Sequence, residues 1–293
     1  MNIPVIAFFN NKGGVGKTSL VYHLAWMCSD MDITVVAADL DPQANLTAAF
    51  MPENKIEYFY EKHPEGTVFG CIEPLKRGVG DISEPYPVKI SDNLTLLAGD
   101  LKLSSFEDDL SETWPKSLDR DERAFRVLSA FYRTMQQMAR TKDAKIVLVD
   151  LGPNLGAINR AALISSDYVV IPLSPDLFSL KGLENLGPTL RTWRREWEER
   201  LDKNPAILEL PSGSIKPLGY IVLQHSVRLD RPVKSYEKWI ARIPQAYAKE
   251  VLDQEISPSV TIVNDYQCLS LLKHYRSLMP MAQEAVKPIF HLK

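Results

Sequence analysis

The ten residues NNKGGVGKTS, 10 to 19, combine three glycines, two lysines and a Thr-Ser pair. Their spacing suits the holding of a phosphate chain. A phosphate-binding loop of the form G-x-x-x-x-G-K-[ST] uses glycines so that backbone N–H groups can face phosphate oxygens. Its lysine reaches the terminal phosphates and its hydroxyl ligates Mg²⁺. Here Gly13, Gly14 and Gly16 supply the cradle around Val15, Lys17 the cation and Thr18 the metal hydroxyl, with Ser19 next in line. The pattern breaks at its first glycine, where Asn11 stands, and Lys12 then opens a tight Lys-Gly-Gly turn. One loop thus carries a lysine with an evident task and a second without one.

Carboxylates complete the chemistry that such a loop requires. A triphosphate site needs an acidic group near the Mg²⁺ shell, usually at the tip of a hydrophobic strand, and KIVLVDLGP presents Asp150 at such a tip. Alone, that Asp would be read as a turn cap; beside a phosphate loop it is read as a metal residue. DLDPQANLT adds Asp39 and Asp41 on one face of an extended segment, followed by Pro42. Asp41 is expected to orient or activate the water that attacks the γ-phosphate, with Asp39 in a structural role behind it.

These residues must be positioned by the elements around them. Short β-branched runs at 3–9, 33–38, 93–99, 145–152, 167–173, 216–224 and 259–264 read as buried strands, and patterns of helical length separate them at 17–29, 121–141, 156–165, 178–201 and 234–251. Strand followed by helix, repeated, predicts an α/β fold with a doubly wound, mainly parallel sheet and helices on both faces. No Gly/Ser-rich linker interrupts the pattern, so one domain over 1–293 is expected. Two less regular excursions stand out: 51–92, with a helix at VFGCIEPLKR, and 203–217. The segment RTWRREWEERLDK, 191–203, reads as an exposed helix whose Trp193 and Trp197 meet at i,i+4 spacing.

Composition narrows the function classes. A net charge of −3 gives no global attraction to a polyanion, so any such surface must be a local patch. Three scattered cysteines without a CxxC pair argue against a disulfide framework or a zinc site. No apolar run approaches the ~18 residues of a membrane span and no export signal is evident, which points to the cytoplasm.

KGGVGKTS, DLDPQANLT and VDLGPNLG, in that order, resemble the ParA/MinD group of ATPases with a deviant Walker A loop, and DLDPQ resembles its ParA/Soj partition branch. The similarity in motif order runs from residue 3 to about 225. It implies ATP and Mg²⁺ as ligands, and a role for Lys12 as a trans phosphate ligand in a homodimer that sandwiches ATP. It also implies that Asp41 is the switch I carboxylate, with Asp39 and Pro42 beside it, and that Asp150, Gly152 and Pro153 form Walker B and switch II. Many members have a small hydroxyl or thiol residue and two prolines where this chain has Leu151, Gly152 and Pro153. That departure leaves metal binding intact and puts switch II timing in question. By the same resemblance Asn159 and Arg160 fall at interface or adenine-side positions, and adenine contacts come from the loop after 216–224 and from near Pro172.

The resemblance further implies sequence-independent binding to double-stranded DNA, stimulation by a ParB-like or other partner protein, and a nucleoid-associated protein that positions a cargo. Phosphate contacts would need clustered Lys and Arg. Arg228, Arg231, Lys234, Lys238 and Arg242, with Lys273 and Arg276 further on, form the candidate patch, against the plain alternative of a solvated face. The tail MAQEAVKPIFHLK lacks the basic amphipathic character of MinD-like membrane-cycling relatives. A dethiobiotin-synthetase-like ligase and a non-motor adaptor gated by ATP are the other readings.

Overall fold

The computed structural model describes residues 2–205, 208–225, 227–228, 231–232, 234–273 and 278–292. The described residues form ten strands: β1 (Val5–Phe8), β2 (Val35–Asp39), β3 (Val88–Lys89), β4 (Leu94–Leu97), β5 (Ile146–Asp150), β6 (Tyr168–Leu173), β7 (Lys216–His225), β8 (Val227–Arg228), β9 (Arg231–Pro232) and β10 (Cys268–Lys273). Eight of them build one sheet in the order β10-β7-β6-β1-β5-β2-β4-β3, while β8 and β9 pair separately. All ladders of the large sheet are parallel except β3 with β4. VIAF, VVAAD and IVLVD can lie at its centre because they are apolar on both faces, as a sheet covered on both sides requires.

Twelve α-helices cover it: α1 (Lys17–Asp30), α2 (Asn45–Phe50), α3 (Glu53–Lys62), α4 (Val68–Arg77), α5 (Glu107–Lys116), α6 (Glu122–Leu128), α7 (Ala130–Thr141), α8 (Ala157–Ile164), α9 (Leu177–Leu201), α10 (Lys234–Ile240), α11 (Ile243–Glu250) and α12 (Leu278–Ala285). Leu20, Val21, Leu46 and Phe50 of α1 and α2 form a core on one face of the sheet with Val35, Ala37 and Leu148. The larger core on the other face joins α4 to α9 and α11 through Ile72, Phe125, Phe131, Leu163 and Trp197. The fold is the doubly wound α/β arrangement that the sequence pattern predicts.

Four local readings are corrected. The strand expected at 259–264 is a run of turns, and the edge strand is β10, CLSLLK. An isolated apolar run can be misplaced in this way because only pairing, here with β7, selects the strand. The 121–141 helix is two helices that meet at Ser129, whose hydroxyl donates to the Phe125 carbonyl (2.7 Å). The 234–251 helix likewise divides at Arg242, with Pro244 in the first turn of α11. Inside 51–92, α3 joins the expected α4.

The helix carrying Trp193 and Trp197 is less exposed than its charges suggest. Trp193 and Trp197 are buried, Trp197 fully. Trp197 stacks on Trp114 with centroids 6.1 Å apart and planes at 16°, and its indole N–H donates to the Pro211 carbonyl (3.0 Å). The Pro211–Gly213 part of the 203–217 excursion therefore closes over this ring. Gly213 lies in the left-handed region at φ +64, and a Cβ there would sit 2.1 Å from Trp197 Cδ1.

Candidate nucleotide site

The phosphate loop joins the central strand β1 to α1. Gly14 and Gly16 have φ of +72 and +88, conformations that glycine adopts without a Cβ penalty. Val15 is buried and anchors the turn. Below the loop, the Asn10 amide donates to the Pro172 carbonyl on β6 (2.7 Å) and its oxygen accepts from the Lys12 N–H (2.9 Å). Pro172 is itself buried, so in this structure it secures the loop from beneath. Asn11 lies against α9, where Gly182 makes room for it: a Cβ at 182 would sit 2.8 Å from Asn11 Oδ1. A cleft of about 620 Å³ opens above the loop, lined by Gly13, Gly14, Gly16, Lys17, Thr18 and Ser19 among others.

Three carboxylates converge there. In the sheet register Asp39 and Asp150 are direct partners across β2 and β5. Asp150 is fully buried, and neither of its oxygens has a hydrogen bond within normal geometry among the described residues. Burial, then the neighbouring Asp39, raises its pKa to about 8, opposed by the Thr18 hydroxyl and Lys17. Asp39 is also fully buried and is raised to about 7, chiefly by burial, although it accepts from the Thr47 N–H (2.7 Å) and hydroxyl (2.7 Å). The Thr47 hydroxyl in turn accepts from the Gly99 N–H (2.8 Å), so Asp39 ties α2 to the ends of β2 and β4. Lys17 is buried and its pKa is lowered by that burial, with Asp150 and Asp41 opposing the shift. A buried carboxylate as poor in donors as Asp150 calls for a cation. Mg²⁺ fits, since the Asp150 oxygens are unsatisfied and Thr18 is beside them. Among the described residues no set of three His, Cys, Asp or Glu could hold a metal.

Asp41 stands at the cleft wall with its carboxylate held by the Gln43 N–H (3.0 Å). Facing it is Gly152, where a Cβ would come within 3.2 Å of Asp41 Oδ1. The glycine in this departing tripeptide therefore lets the Asp41 carboxylate approach the backbone after β5. Pro153 packs on Gly13, 3.9 Å from an added Cβ. Two contributors to this region carry no motif of their own. Asn159 of α8, fully enclosed, donates its amide to the Gly152 carbonyl (2.9 Å) and the Asn154 carbonyl (2.6 Å). Glu107 of α5 accepts from the Ala157 and Ile158 N–H groups that begin α8. Arg160, next to Asn159, lies over one face of Trp114 at 4.2 Å.

The Lys12 carbonyl accepts from the Lys17 ammonium (3.4 Å), while the Lys12 side chain has a partner of its own. Its ammonium pairs with Asp176, the residue that caps α9 by accepting from the Ser179 N–H (2.9 Å). Leu177 and Phe178, 40% and 72% exposed, follow immediately.

The candidate DNA patch is dispersed over several elements. Lys238 and Arg242 are exposed around Trp239, 5.0 and 5.4 Å from its ring centre, and Lys273 is exposed at the end of β10. The side chains of Arg228, Arg231 and Lys234, and all of Arg276, lie outside the described residues. Trp193 and Trp197, being buried, offer no face on which a base could stack.

A doubly wound sheet with a glycine loop between its central strand and first helix, and an acidic residue on the adjacent strand tip, defines a P-loop nucleoside triphosphatase. An AAA domain family matches residues 3–203, and the chain belongs to it; within it the chain is a ParA-type P-loop ATPase. It is 25% identical over 263 residues to MJECL24 of Methanocaldococcus jannaschii, covering 87% of this chain and 89% of that protein. To the sporulation initiation inhibitor protein Soj of Bacillus subtilis it is 27% identical, covering 64% of each. Among solved structures, protein DIP2308 of Corynebacterium diphtheriae is 28% identical with a TM-score of 0.68, over 75% of this chain and 83% of that one. A putative plasmid partition protein of Borrelia burgdorferi bound to AMPPNP shares the fold at 19% identity and TM-score 0.61, over 97% and 90%. Cobyrinic acid a,c-diamide synthase of Mycobacterium smegmatis, with bound ATP analogue and magnesium, is 25% identical with TM-score 0.50, over 75% and 72%.

Proposed function

We propose that the chain forms one ATPase domain that hydrolyses ATP slowly with Mg²⁺, dimerises around ATP and binds DNA without sequence preference in that state. Hydrolysis would be stimulated by a ParB-like or other partner, and the protein would position a plasmid, a chromosome origin or a protein assembly in the cytoplasm on the nucleoid. The observation that carries this reading is the second lysine: Lys12 stands in the phosphate loop with its side chain half-buried and its ammonium on Asp176, a surface carboxylate that it can exchange for a phosphate. Two loops facing each other through anionic nucleotides would repel without a cation supplied in trans, so occupancy and dimerisation become linked. Thr18 and Asp150 would hold the Mg²⁺, which would neutralise phosphate charge. Gly13 to Ser19 would cradle the phosphates, and Asp41, held by Gln43 and facing Gly152, would orient the water.

Relatedness to Soj and to plasmid partition proteins supports the positioning role. The fold shared with cobyrinic acid a,c-diamide synthase favours a second reading, a small-molecule ligase, for which phosphate release would require a carboxylate or amine substrate. Among the described residues no helix is long and apolar enough to cross a membrane.

The test is equilibrium binding to random-sequence duplex DNA at ~150 mM salt with ATP, ADP or no nucleotide, on wild type and Lys12→Ala. Binding only with ATP, lost in Lys12→Ala, is expected. No binding with any nucleotide would remove DNA as the track.

A further inference from the structure

The family match ends at residue 203, yet the cleft above the phosphate loop is not built by that portion alone. Ala282 and Gln283 of α12 line the same cleft as Lys17, Thr18 and Ser19, with Tyr22 and His23 of α1 between them. Ala282 is only 3% exposed. We propose that α12 and the short helical turn after it, Ile289–His291, form a latch over the cleft that controls how fast nucleotide leaves. The proposal rests on the nucleotide reading of the site.

The segment is fastened to one face of α1. The Ile289 N–H donates to His23 Nε2 (3.1 Å), while His23 Nδ1 lies 2.7 Å from the Ser19 carbonyl. An Nδ1–H donor to that carbonyl leaves Nε2 free to accept, so both contacts are satisfied by one neutral tautomer. Further along, His291 Nε2 lies 2.8 Å from Asp30 Oδ2, and its ring meets Trp26 edge-on at 5.5 Å. The Phe290 ring meets His23 at 6.0 Å. Ser19, His23, Trp26 and Asp30 are spaced by four, three and four residues and so share one helix face. From Ala282 to His291 the segment therefore runs along α1 from the end where the phosphate loop feeds into it toward its last turn.

Phosphates occupy only part of a nucleotide, and the ribose and base need walls beyond the loop. Tyr22, His23, Ala282 and Gln283 line the same cleft as the loop and would flank a nucleotide bound there. The fastening is of a kind that opens locally: few polar contacts, with Phe290 46% exposed. Because Ala282 and Gln283 line the cleft of the phosphate loop itself, exit of the bound phosphates then follows undocking of the segment, and any partner that lifts it would speed exchange.

The experiment is stopped-flow release of a fluorescent ADP analogue from the full chain, comparing wild type with Phe290→Ala/His291→Ala, which alters two side chains outside the cleft lining. Hydrogen exchange of the Ile289 amide reports undocking. Release at least about threefold faster, with faster exchange at Ile289, is expected, since changes of this kind act mainly on off-rates. Undocking with unchanged release overturns the proposal. Ala282→Glu is an independent second variant that places a carboxylate in the latch wall. It is expected to weaken ADP binding about threefold or more in the otherwise unaltered chain, and unchanged affinity would also overturn the proposal. Failure of the wild type to bind the analogue at all would defeat the nucleotide reading itself.

Discussion

Lys12 at the mouth of the phosphate loop is paired with Asp176, the capping residue of α9 in the same chain. A lysine that acts on a partner's nucleotide must first leave that carboxylate. The two side chains are 28% and 33% exposed, so the pair contributes at most about 1 kcal/mol and is easily exchanged for a phosphate. Asp176→Asn is expected to lower the ATP concentration for half-maximal dimerisation by up to about fivefold, the equivalent of that energy. Lys12→Ala should abolish the ATP-dependent dimer. Sedimentation velocity across an ATP titration checks both, and weaker dimerisation in Asp176→Asn would show that the pair supports the dimer instead of restraining it.

Catalysis should depend on Asp41 and on how the backbone facing it is held. Asp41→Ala is expected to cut single-turnover hydrolysis by about 10²- to 10⁴-fold, the usual contribution of a general base, with ATP binding retained. Asn159→Ala, which frees the Gly152 and Asn154 carbonyls, should lower kcat with little change in KM. Hydrolysis at the wild-type rate in Asp41→Ala would favour an adaptor that uses ATP only to gate dimerisation.

Stability should fall as pH rises through neutrality. Burial raises Asp39 from its ordinary 3.8 to about 7 and moves Asp150 in the same direction. The folded chain therefore binds these protons more tightly than the unfolded chain does. Their contribution to stability is fully present below about pH 4 and is lost as pH climbs toward the folded values. The urea midpoint of the nucleotide-free protein is expected to drop between pH 5 and 8, and Asp39→Asn should flatten that drop. A midpoint that rises over this interval in the wild type and is unaffected by the substitution would contradict the assignment.

Removing the Trp197 ring should be a structural lesion only. The side chain is fully buried, stacked on Trp114 and closed over by the Pro211–Gly213 segment. Trp197→Ala is expected to cost roughly 3–5 kcal/mol in urea unfolding. DNA affinity of the folded variant should be unchanged, and a selective loss of DNA binding would contradict a purely structural role.

Much of the site was legible because its determinants are local. The glycine spacing from Gly13 to Gly16, the lysine and threonine after it, and the acidic tips of two β-branched strands follow from rules that act over a few residues. Alternation of strand and helix likewise implied the doubly wound sheet. What the chain order left open were relations between residues far apart. The pairing of Lys12 with Asp176, the register that sets Asp39 against Asp150, and the contact of Gly152 with Asp41 exist only once the sheet is assembled. The same holds for errors of exposure: charges around Trp193 and Trp197 suggested a solvated helix, but helical phase relative to Trp114 put both rings in the core. Local spacing determines which groups can do chemistry, because backbone geometry repeats over short distances. Which charges meet, which are buried and what walls the cleft depends on packing between distant segments, and only the tertiary structure decides it.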